Sequence, residues 1–103
     1  MDLNGKAAIV TGSSRGIGRA IAVALASCGM DIIINHVHAS HSNDAVETKR
    51  QIECLGKDAV ITRADVSSEK DVKRLVTEAV RAFDKIHVLV NNAGVFPKTQ
   101  EHH

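Results

Sequence analysis

The sequence predicts an α/β domain built on a four-stranded parallel sheet, in strand order 3-2-1-4, with three helices. Three observations carry this expectation. Short apolar runs alternate with stretches of helical spacing, which gives the order β-α-β-α-β-α-β and implies parallel strands joined by right-handed crossovers. A glycine-rich turn, Thr11 to Gly18, joins the first strand to the first helix. The apolar residues are nearly all Val, Ile, Leu and Ala, with two Phe and no Trp or Tyr, a palette suited to strands buried on both faces. A chain of 103 residues makes one domain that buries roughly two-thirds of the surface exposed when unfolded.

Ala7-Ala8-Ile9-Val10 is the first strand, ending at Thr11. From Gly16, the residues Ile17, Ala20, Ile21, Ala24, Leu25 and Cys28 recur at helical spacing, and Gly29 stands where a left-handed C-cap is wanted. Asp31 to Asn35 is a β-branched run and forms the second strand. The polar stretch His36 to Asn43 leads into a weaker helix through Ala45, Thr48, Ile52 and Leu55, closed by Gly56. Ala59-Val60-Ile61-Thr62 is the third strand. Ser67 or Ser68 caps a third helix whose apolar face is Val72, Leu75, Val76, Ala79, Val80 and Phe83. Ile86 to Val90 is the fourth strand and runs into Asn91-Asn92-Ala93-Gly94. Residues 1–95 are read as one half-domain and 96–103 as a patternless tail, native or ending in a cloning scar at Glu101-His102-His103. The third crossover reverses direction, so two helices cover one face of the sheet and the third helix alone covers the other.

Thirteen basic and twelve acidic residues leave a net charge of +1, which gives no footprint for nucleic acid or a membrane surface. The start lacks the basic flank and apolar run of a signal peptide, and no apolar stretch approaches spanning length, so a cytoplasmic protein is expected. Cys28 and Cys54 fall late in two helices and are read as buried free thiols.

The turn from Thr11 to Gly18 places free backbone N–H groups and the positive end of a helix dipole together, an arrangement that accepts a pyrophosphate. Gly12 permits the sharp turn, Gly16 lets the backbone approach the phosphates and Gly18 lets the helix pack close to the sheet. The spacing G-x-x-x-G-x-G differs from the G-x-G-x-x-G of the commoner dinucleotide fingerprint. It resembles the Thr-Gly-x-x-x-Gly-x-Gly motif of the short-chain dehydrogenase/reductase family, which Thr11 to Gly18 match in full. Asp65-Val66 is similar to that family's adenine-contacting acidic position, and Asn91-Asn92-Ala93-Gly94 to its Asn-Asn-Ala-Gly motif, the flavour being closest to the 3-oxoacyl-carrier-protein-reductase-like branch. The resemblance implies a truncated Rossmann fold and a nicotinamide dinucleotide ligand. The positions it carries over as cofactor-binding are Gly12, Ser14, Arg15, Gly16, Ile17, Gly18, Asn35, His36, Asp65, Val66, Asn91, Ala93 and Gly94.

Where a carboxylate closing the second strand would grip the ribose 2′-hydroxyl of NAD, this chain has Asn35-His36, and Arg15 in the glycine loop is placed to pair with a phosphate; NADP(H) is therefore expected over NAD(H). Other readings stay open. Arg15 serves equally as a solvated loop residue, Asp65 as a turn before a helix cap, and Asn91 as a backbone partner at a strand end. His36, His38 and His41 lie close in sequence, but no Cys or carboxylate completes a recognisable metal-ligand spacing, so a polar loop near the adenosine phosphate is preferred. His87 is read as a packed or edge histidine.

By the resemblance, hydride transfer to a carbonyl or from an alcohol uses a tyrosine as general acid/base, a lysine four residues later and a serine. That segment is not in this sequence, which contains no tyrosine, so no catalytic residue is assigned and an inactive cofactor-binding half is expected. A non-catalytic interaction module and a split enzyme completed by a second chain are the alternatives. An open sheet edge and an uncovered apolar face favour a homo-oligomer.

Overall fold

The first strand, β1 (Ala7–Val10), is buried along its whole length. Such burial requires neighbours on both edges and cover on both faces, and the computed structural model, which describes residues 3–93, supplies all four. After β1 come α1 (Gly16–Ser27), β2 (Asp31–His36), a 3-10 turn (Ala39–His41), α2 (Ser42–Glu53), β3 (Ala59–Arg63), α3 (Glu69–Phe83) and β4 (Val88–Val90). The sheet is parallel throughout in the order β3-β2-β1-β4, as the alternation of elements predicts. Its register pairs Val10 with Ile34 and with Val90, and carries β2 along β3 as far as His36 opposite Arg63.

Alternation along the strands divides the core in two. Ala8, Val10, Ile32 and Ile34 face α1 and α2, meeting Ala22, Ala26, Ala45 and Ile52; the small alanines let the helices lie close. Ile9 and Ile33 face the other way and meet Ala64, Val66, Leu75 and Ala79 beneath α3. Two helices on one face and one on the other follow from the reversal between the second and third crossovers.

Several local expectations are corrected. Cys28 and Cys54 are free thiols as expected but exposed rather than buried; Cys28 lies on the side of α1 that carries Ile17, Ala20 and Ala24, all exposed, whereas the buried positions are Gly18, Ala22 and Ala26. Leu55 lies beyond the end of α2 and is exposed. On α3 the buried face narrows to Leu75 and Ala79, with Val76 and Val80 exposed on the flank. Ser68 is the N-cap of α3, accepting from the Asp71 N–H at 3.3 Å, while Ser67 serves Asp65 instead. The fourth strand starts two residues later than predicted. His87 precedes it and is exposed, with its Nδ1 accepting the Ala7 N–H at 3.2 Å where a ladder carbonyl would otherwise stand.

Candidate functional site

The chain leaves β1 at Val10 and must reverse into α1. Gly12 (φ +62°) and Gly16 (φ +61°) take left-handed conformations that side chains strain to adopt. The N–H groups of Gly12 and Ser13 are spent inside the protein, on Asn35 Oδ1 at 3.1 Å and on the Asn35 carbonyl at 2.9 Å. The first turn of α1 is different. Its N-cap, Arg15, makes no side-chain cap, and no acidic residue lies in that turn, whereas α3 is capped by Ser68 and carries Glu69 and Asp71 in its first turn. The N–H groups that open a helix have no partner within it. An uncapped end with no acid beside it keeps its positive field for an anion. A Cβ on Gly16 would meet nothing within 4 Å, so the space over the turn is open. Gly18 is the reverse: a Cβ there would overlap the Gly12 carbonyl oxygen and come within 2.7 Å of the Asn92 amide.

The end of β4 is tied to the same loop. The Thr11 hydroxyl oxygen accepts from the backbone N–H groups of Asn92 at 2.9 Å and Ala93 at 3.0 Å, and the Asn92 side-chain amide donates to the Gly12 carbonyl at 3.1 Å. Asn91 touches the Thr11 hydroxyl through Oδ1 at 3.3 Å.

Between these ends lies a recess of about 490 Å³. From the glycine loop it takes Gly12, Ser14, Arg15 and Gly16; from the end of β2 and the following turn, His36, Val37, His38 and His41; from the end of β4, Ala93. It sits at the carboxyl ends of the strands, where the chain reverses its direction across the sheet, the position at which open α/β sheets bind ligands. A hollow of about 380 Å³ near Asn4, Gly29 and Lys57 lies at the opposite ends of the strands, away from the loop. His36 is buried, with Nδ1 3.0 Å from the His38 carbonyl, and since a carbonyl only accepts, Nδ1 carries the hydrogen. The rings of His38 and His41 meet edge to face at 5.7 Å.

Of the residues singled out by sequence, the recess gathers Gly12, Ser14, Arg15, Gly16, His36 and Ala93. Ile17 projects outward, 74% exposed. Asn35 is wholly buried behind the loop: its Oδ1 accepts from Gly12, and its Nδ2 donates to the carbonyls of Thr62 at 3.3 Å and Ala64 at 3.1 Å, so its amide shapes the loop and does not face the recess. Val66 packs its side chain into the core under α3. Asp65 takes up the turn role: Oδ1 accepts from the Ser67 hydroxyl at 2.6 Å and the Ser67 N–H at 2.9 Å, and these bonds hold its carboxyl below the usual range. Gly94 and the 96–103 tail lie outside the described residues. Sequence reasoning gave Thr11 and Ser13 no role as loop braces. Asn92 at least was marked by its motif.

The fold defines a doubly wound α/β domain whose first helix opens, uncapped, at the switch point. The model of the short chain dehydrogenase family matches residues 6–103, and the chain belongs to that family. L-rhamnose 1-dehydrogenase (NADP(+)) of Thermoplasma acidophilum is 41% identical over 97 residues, covering 94% of this chain and 37% of the relative. The 3-oxoacyl-[acyl-carrier-protein] reductase of a Synechocystis species is 41% identical over 93 residues, 90% of this chain and 37% of the relative. The crystal structure of a blue fluorescent protein from a metagenomic library in complex with NADPH superimposes with a TM-score of 0.86 at 43% identity, over 93% of this chain and 39% of the other. The chain thus spans 37% of the length of these two curated relatives. Among the described residues no helix is long and apolar enough to cross a membrane.

Proposed function

We propose that this chain holds a nicotinamide dinucleotide, with the pyrophosphate on the first turn of α1 and the adenosine end in the recess between Arg15 and the His36–His41 turn, and that it prefers NADP(H) to NAD(H). The observation that carries the reading is the uncapped α1 terminus beneath the open space at Gly16. The preference is supported by Arg15 lining a recess in which no carboxylate stands at the end of β2. Two similar proteins support it too, one named for NADP(+) and one solved with NADPH. Once bound, the cofactor supplies or accepts a hydride in the family's oxidoreductase reaction. These 103 residues contain no tyrosine, so we infer that they form a half-domain, residues 1–95, which is inactive alone and reaches catalysis only with residues beyond it.

Isothermal titration with NADPH and NADH tests the reading. Saturable binding that favours NADPH, lost in Gly16→Asp and shifted toward NADH in Arg15→Gln, is the expected result; a folded chain that binds neither cofactor overturns it.

A second reading, a non-catalytic interaction module, is favoured by Leu89, which stands 54% exposed on the face of β4 that no helix covers among the described residues. It is compatible with the first, since self-association through that face would give a homo-oligomer. Light scattering that returns a monomer mass at micromolar concentration would remove it.

A further inference from the structure

The recess uses the front of the glycine loop, but the back of that loop is held by a separate set of contacts. The Ser14 carbonyl oxygen accepts from Arg19 Nη2 at 2.8 Å and from the Thr48 hydroxyl at 2.8 Å, so both of its lone pairs are taken. Arg19 Nε donates to Thr48 Oγ1 at 2.9 Å, and Nη2 reaches the Asp44 carbonyl at 3.0 Å. Thr48 is wholly buried in α2 and its hydroxyl serves both as donor and as acceptor. Arg19, on the second turn of α1, makes no ion pair among the described residues; its guanidinium is spent on two carbonyls and a hydroxyl.

We propose that Arg19 and Thr48 are positioning residues for the cofactor's pyrophosphate, acting as a latch on one peptide plane. The carbonyl and N–H of a trans peptide point in opposite directions. Holding the Ser14 oxygen toward Arg19 and Thr48 therefore turns the Arg15 N–H away from them and keeps the Ser14 oxygen from being offered to an anion at the helix terminus. Without the latch this peptide is free to rotate, and its carbonyl would then repel the phosphate that the loop is shaped to attract. A threonine inside a helix ordinarily spends its hydroxyl on the carbonyl one turn back. Here the Asp44 carbonyl is the longer contact at 3.3 Å and the loop is the shorter.

The inference rests on the dinucleotide reading above and differs from it in what it predicts. The pyrophosphate is common to both cofactors, so damage to the latch weakens NADPH and NADH equally, whereas changes at Arg15 alter the ratio between them. The experiment is titration of the wild-type chain, Thr48→Val, Thr48→Ser and Arg19→Met with each cofactor, alongside amide ¹H–¹⁵N spectra. Thr48→Val keeps the shape and removes the hydroxyl. We expect its Kd to rise about tenfold for both cofactors, the Arg15 amide resonance to move, and Thr48→Ser to restore both. Arg19→Met carries the same expectation from α1, should Thr48→Val fail to fold. Binding by Thr48→Val and Arg19→Met as tight as wild type overturns the latch and leaves the dinucleotide reading standing; a wild-type chain that binds neither cofactor overturns both.

Discussion

Strands β2 and β4 flank the same central strand and are both written in β-branched residues and leucine or isoleucine, yet they end in different environments. Every residue of β2 from Ile32 to His36 is buried, while none of β4 is. β2 has a strand on each side and a helix layer on each face. Among the described residues β4 has β1 as its one neighbouring strand, and Val88 and Val90 pack against the core beneath α1 and α2. Leu89 shares the parity of Ile9, its register partner, but is 54% exposed where Ile9 is 2% exposed. Apolar patterning thus decides that a segment is a strand, and the elements beside it decide how far it is buried.

The sharpest test of that contrast is a pair of truncations. Ile33→Ala, in the middle of β2, should lower unfolding free energy by about 2–5 kcal/mol in urea titration, while Leu89→Ala should stay within about 0.5 kcal/mol of wild type. Equal losses would break the comparison and mean that Leu89 is covered in solution by a second copy. Next in size is Asn35→Ala, which strands the Gly12 N–H and two carbonyls behind the loop; a loss of about 1–3 kcal/mol is expected by the same measurement. Thr62→Val should go the other way. The Thr62 hydroxyl is buried in β3 with no hydrogen-bond partner among the described residues, so an isosteric methyl should stabilise by about 1 kcal/mol, and a destabilised variant would reveal a partner for that oxygen.

The smallest effect lies outside the sheet. Hydrogen bonds from Arg50, and then Gln51, hold the Glu47 carboxyl down from 4.5 to about 2. A folded-state value below the unfolded one adds stability that is full above about pH 4.5 and is lost as pH falls toward about 2. The pair is exposed, so the loss is slight. Glu47→Gln should flatten that part of an acid titration of stability, and an unchanged profile would assign the acid sensitivity to other carboxylates such as Asp65.

Element order, sheet order and the glycine loop were legible because they depend on local spacing: β-branched runs, helical periodicity, and glycines where φ turns positive. What was not legible depends on distant partners. Thr48 read as one more residue on the inner face of α2, and nothing near it in sequence announced that its hydroxyl meets Ser14. Asn35 read as a ligand contact since it stands at the end of β2, but its amide is claimed by the loop and by β3. Cys28 follows the apolar stripe read for α1 in sequence, yet the helix turns Gly18, Ala22 and Ala26 to the sheet and leaves Ile17, Ala20, Ala24 and Cys28 exposed.

The tie between Asn92 and Gly12 bridges 80 positions of sequence. Contacts of such separation close late in folding, after the local units that bring them together. The loop therefore reaches its final shape only when β4 has docked beside β1, although every glycine in it belongs to the first fifth of the chain. During synthesis the loop would stay unbraced until β4 emerges. A molecule that recognised this loop would, in effect, be selecting chains in which β4 has docked.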